Sequence, residues 1–117
     1  MQFLKSNKIY AIVKKDNILG IYFTDPNSSE TNLEVIEWNY SELDKSKVQT
    51  SQEKVVGQVL SGLDWANKEL GTNYKLSKIY FSAYDSSANR VYSGLISVLI
   101  SHYHRGNEFK EVKLLDL

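Results

Sequence analysis

"TSQEKVVGQVLSGLDWANKELG" (50–71), followed by "TNYKLSKIYFSAY" (72–84), decides the class of fold. In the first stretch Val55, Val56, Val59, Leu60, Leu63, Ala66 and Leu70 recur at intervals of three and four, the stripe of an amphipathic helix. Thr50 and Glu53 match a capping box, and Gly71 stands where a glycine stops a helix. Gly57 and Gly62 lie inside that helix, where each costs about 1 kcal/mol against alanine. Close approach of the helix to a sheet is the expected reason for them. In the second stretch "LSKIYFSAY" (76–84) is almost continuously apolar, which predicts a strand covered on both faces.

Upstream, "KIYAIVKK" (8–15) and "ILGIYFTD" (18–25) are β-type runs separated by Asp16-Asn17, so a two-residue hairpin is predicted. After the turn "DPNSSE" (25–30), "TNLEVIEWNY" (31–40) reads as a third strand that completes an antiparallel meander. Downstream, a second helix is predicted from Ser87 to His104. Its apolar positions are Val91, Tyr92, Leu95, Val98, Leu99, His102 and Tyr103, widened by Ile96 and Ile100. Arg105-Gly106 ends it, and "NEFKEVKLLDL" (107–117) predicts a last strand whose alternating Lys and Glu suit an edge. The expected architecture is one α+β domain over residues 1–117, ordered β-β-β-α-β-α-β. A mixed sheet of about five strands carries two helices.

Composition narrows the function classes. The chain has 117 residues, 42% of them apolar and 12% aromatic, as in a folded globule. Its 14 basic and 14 acidic residues balance, whereas a general nucleic-acid binder needs excess Lys and Arg to displace counterions. There is no cysteine, which removes disulfides, thiolate nucleophiles and sulfur metal sites together. "MQFLKSNKIYAIVKK" has neither the apolar core nor the cleavage site of a signal peptide, and a cytoplasmic protein is expected.

No reactive constellation stands out. Asp85-Ser86-Ser87 before a helical run is what a helix N-terminus needs, because these side chains accept bonds from free backbone N–H groups. His102 and His104 are two apart on a helix and so diverge, whereas a zinc pair wants a spacing of four. Ser51-Gln52-Glu53-Lys54 fits S-x-x-K, but the companion S-D-N and K-T-G motifs of serine β-lactamases are absent. No G-x-S-x-G, phosphate-cradling glycine loop or dinucleotide fingerprint occurs. No catalytic residue, metal or cofactor is therefore assigned, and a non-enzymatic role is expected.

Charge distribution is more informative. From Asp25 to Asp44 the chain carries Asp25, Glu30, Glu34, Glu37, Glu42 and Asp44 without a single Lys or Arg. Trp38 and Tyr40 are interleaved with these acids, and aromatics beside charges are typical anchors of protein interfaces. The expected partner-binding set is Glu30, Glu34, Glu37, Trp38, Tyr40, Glu42 and Asp44. A negative patch of this kind steers a basic protein towards itself.

Two resemblances follow. In size, lack of an export signal, missing catalytic motifs and the stretch "EVIEWNYSELD" (34–44), the chain resembles small bacterial immunity proteins, including those of contact-dependent growth inhibition. That resemblance implies direct binding and neutralisation of a cognate toxin, in many cases a basic nuclease, with carboxylates standing where phosphates would bind. The element order is also similar to the core of the ribonuclease H-like fold, which implies a nucleic-acid-processing or nucleic-acid-binding protein. There Glu53, Asp85 and Glu108 would be the metal carboxylates. The first predicted strand lacks the aspartate that such sites carry; Asp16 comes only in the turn beyond it.

Overall fold

The structure is a computed structural model and describes residues 1–14, 17–24, 32–37, 52–81 and 91–113. Its elements are β1 (Gln2–Ser6), β2 (Ile9–Lys14), β3 (Asn17–Phe23), β4 (Glu34–Glu37), α1 (Gln52–Leu70), β5 (Leu76–Phe81), α2 (Val91–His104) and β6 (Lys110–Glu111). The fold is α+β, as expected: one mixed sheet with two helices. Among the described residues the sheet has six strands in the order β4-β5-β3-β2-β1-β6, one more than the element pattern predicts.

The extra strand is β1. Its five residues alternate Phe3 and Lys5 on one face with Leu4 and Ser6 on the other, and it pairs antiparallel with β2. Asn7 turns the chain between them at φ 54°, a conformation that asparagine tolerates. The predicted β2–β3 hairpin is present, with Lys14 opposite Asn17, so Asn17 of the expected turn belongs to β3, while Asp16 lies outside the described residues. The antiparallel meander is therefore β1-β2-β3, and the strand predicted over 31–40 has no place in it. β4 lies instead at the far edge of the sheet, parallel to β5, while β5 takes the seat beside β3. The physical reason is burial. β5 offers Ile79, Tyr80 and Phe81 to both faces and all three are buried, whereas β4 carries exposed glutamates at each end. β6 pairs parallel with β1 at the other edge, and both its residues are exposed, as the Lys/Glu alternation predicts.

α1 and α2 lie side by side over one face of the sheet, running in the same direction. Gln58 accepts the Tyr92 N–H at 3.0 Å, and Ser97 reaches the Gly62 carbonyl four residues further along α1. Beneath them the core gathers Ile12, Leu19, Ile21, Ile79 and Phe81 from the sheet. Val55, Val59, Leu63 and Ala66 come from α1, and Tyr92, Leu95, Ile96, Leu99 and Ile100 from α2. A second apolar cluster, Ile9, Ala11, Ile18 and Tyr80, is buried on the opposite face of the sheet.

Two details of the helices depart from the sequence expectation. Gly62 is a close-approach glycine, but its neighbour is α2 and not the sheet. A methyl group there would sit 2.5 Å from the Ser93 carbonyl oxygen and from Ile96 Cγ2. Gly57 has nothing within 4 Å. The stripes are also narrower than the periodicity implies: Leu60 and Val98 are 44% and 38% exposed, and Gly62 is buried in the seam. Both helices end on glycines in the left-handed region, Gly71 at φ 66° and Gly106 at φ 70°. Thr72 N–H reaches the Asn67 carbonyl and Asn107 N–H the His102 carbonyl, closing each last turn. Thr50 of the predicted capping box lies outside the described residues, as does the Ser87–Arg90 start of the second helix.

Candidate functional site

Of the seven expected partner-binding residues, Glu34 and Glu37 are described; Glu30, Trp38, Tyr40, Glu42 and Asp44 lie outside the described residues. Both glutamates are exposed. The β4–β5 register fixes where they stand. Glu34 is opposite Lys78 on the face away from the helices, and Glu37 is opposite Phe81 on the helix face. Three residues apart on a strand, they project to opposite sides and flank the sheet edge instead of sharing one surface. Among the described residues no strand pairs with the outer side of β4. The edge is only partly neutralised: Lys78 Nζ approaches Glu34 at 3.9 Å in an exposed pair while also lying 5.5 Å from the Tyr22 ring centroid. Such a pair is worth little in water. Burial raises the pKa of the neighbouring Tyr80 hydroxyl, and Glu34 and then Tyr22 raise it further.

The histidines are held structurally, as their spacing suggests. His102 lies flat on Phe3, with centroids 3.6 Å apart and planes 4° apart, and its Nε2–H donates to the Glu108 carbonyl at 2.7 Å. His104 Nδ1 pairs with the Tyr74 hydroxyl at 2.9 Å. Around them Tyr10, Phe23, Tyr103 and Phe109 form an aromatic cluster, edge-to-face at Tyr10 and tilted between Phe23 and Tyr103, that ties the end of α2 to β2 and β3. Burial raises the Tyr103 pKa, Tyr10 and Tyr74 add to that, and Lys5 opposes it.

The carboxylates of the ribonuclease H resemblance do not converge where they can be seen. Glu53 is in the first turn of α1 and Glu108 follows the last turn of α2, at opposite ends of two parallel helices. At 1.5 Å rise per residue they stand about 20 Å apart. Asp16 and Asp85 lie outside the described residues. Among the described residues no group of three or more His, Asp or Glu could hold a metal ion.

A second surface, which sequence reasoning missed, lies beside the helix seam. Phe3, Trp65, Ser97, Val98, Ser101, His102, Arg105 and Asn107 line an open groove of about 340 Å³. Trp65 stands on its wall 58% exposed, flanked by Val98. The available signal was Trp65 itself, a large aromatic that falls off the apolar stripe of its helix.

No family model, curated protein or solved structure matches the chain. No helix among the described residues is long and apolar enough to cross a membrane.

Proposed function

We propose that the protein is a non-enzymatic binding module that docks a basic protein partner on its acidic edge. The observation that carries this reading is the terminal position of β4, with Glu34 and Glu37 exposed on either side of an edge that no described strand covers. The surrounding run from Asp25 to Asp44, acidic throughout and without a cation, supplies the field that would draw such a partner in. In its finer form the proposal is an immunity protein that neutralises a cognate toxin domain, with carboxylates occupying a groove built for phosphates. The acidic run from Asp25 to Asp44 supports it.

The test is capture from the native host's lysate on the wild-type chain and on the Glu34→Lys/Glu37→Lys double variant. A basic protein should be enriched at low salt, fade as salt screens the attraction, and be missing from the variant. Equal recovery on both baits would overturn the acidic edge as the docking surface. A captured partner that is a toxin, inhibited by the wild-type chain and left active by the double variant, would establish the finer form.

A further inference from the structure

We propose that the groove between α1, α2 and β1 is a second docking site. Its occupant is a peptide segment of a protein partner that presents a bulky apolar side chain next to a carboxylate. The groove's walls are apolar: Trp65, Val98 and the Phe3–His102 stack. Three of its polar side chains are free to act. Ser97 is committed to the Ser93 carbonyl at 2.8 Å, but the Arg105 guanidinium and the Ser101 and Asn107 side chains make no hydrogen bond or ion pair among the described residues.

Charge complementarity selects the ligand. Among the described residues of the lining Arg105 is the permanent charge, and no carboxylate accompanies it there. On α1, Asp64 is engaged with the exposed Lys68 at 3.0 Å, and Glu69 forms no ion pair with Arg105 among the described residues. Three carbonyls of the last turn of α2, a group that would repel an anion, are already engaged: Ser101 by Arg105 N–H, His102 by Asn107 N–H and Tyr103 by Gly106 N–H. A guanidinium flanked by a hydroxyl and an amide is a carboxylate receptor, because the fork of the guanidinium matches both oxygens. Apolar walls alone would accept any greasy side chain; the free arginine makes the acid a requirement.

The groove is open, and 340 Å³ accommodates about one large side chain with its adjoining backbone, at the small end of ligand clefts. Trp and Arg are also the residue types that dominate binding energy at protein interfaces. Both features favour a peptide segment over a free metabolite. The site is separate from the acidic edge: β1 and β4 are four strand spacings apart, about 19 Å.

The test uses the isotope-labelled full chain and three probes: acetyl-Gly-Leu-Phe with a free C-terminal carboxylate, the same peptide as its C-terminal amide, and indole-3-propionate. The free acid should shift the Trp65 indole N–H and the Ser101 and Arg105 amides saturably. The amide should bind about tenfold more weakly, the loss of one charge-assisted contact. Arg105→Gln should erase the difference between acid and amide, and Trp65→Ala should weaken both. Glu34→Lys/Glu37→Lys should bind the free acid like the wild type, so that failure at the acidic edge is distinguishable from failure here. Equal binding of acid and amide to the wild type would overturn the proposal, as would shifts that miss the groove at millimolar peptide. Indole-3-propionate binding as tightly as the peptide would make this a small-acid site and overturn the peptide assignment.

Discussion

Gly57 and Gly62 are one and a half turns apart on α1, yet they stand in opposite situations. At Gly62 the backbone of α2 is so close that a methyl group would meet a carbonyl oxygen, an α-carbon and a side chain; at Gly57 it would meet nothing. The residue type is the same, and only the neighbour differs. Near Gly62 the seam is closed by backbone contact and by the Ser97 hydroxyl, whereas the outer surface of α1 leaves Leu60 and Trp65 in water. One helix thus carries a face selected for fit and a face with no structural duty that the described contacts explain.

Substitutions sort the two faces. Gly62→Ala should have the largest effect, a loss of about 2–3 kcal/mol in denaturant unfolding, because the obstructing atoms are mostly backbone and cannot swing aside. An unfolding midpoint unchanged from wild type would show that the helices separate easily and would remove the contrast. Gly57→Ala should go the other way, gaining about 0.5–1 kcal/mol from helix propensity alone. A loss there would reveal a neighbour that the described residues do not include. Trp65→Ala should have the smallest effect, within about 0.5 kcal/mol, since more than half of the side chain is already in water. A Trp65→Ala variant of ordinary stability that fails to bind the free-acid peptide would mark the outer face as kept for recognition.

The helices were legible in the sequence because a period of three and four leaves few alternatives, and Gly71 and Gly106 mark their ends. The β2–β3 hairpin and the buried character of β5 were legible for similar reasons. β1 was not: "QFLKS" is short, and Lys5 and Ser6 break its apolar character, so its strand state depends on having Ile9–Val13 as a partner. The place of β4 was not legible either, since alternation reports that a segment is a strand and says nothing of which strand it joins. Pairing Glu34–Glu37 with Lys78–Phe81 is a long-range choice settled by the stronger apolar run of β5.

The candidate surfaces divide in the same way. The acidic run can be read in order along the chain, but the opposite projection of Glu34 and Glu37 depends on a register that composition does not contain. The groove draws on Phe3, Trp65 and residues 97–107, which only the folded chain brings together. Leu60 and Val98 counted towards the core because periodicity identifies a stripe without measuring the area available to cover it.

The seating of β6 against β1 bears on how the molecule assembles. Leu4 meets Lys110, Lys5 meets Glu111, and Val112 N–H bonds the Lys5 carbonyl, so nearly the whole described sequence intervenes between partners. Contacts so remote in sequence form slowly, after local hairpins and helices. The outer border of β1 therefore closes late in folding, and the groove's Phe3 wall waits with it for His102. Recognition at that groove would then distinguish the folded chain from its partly folded forms.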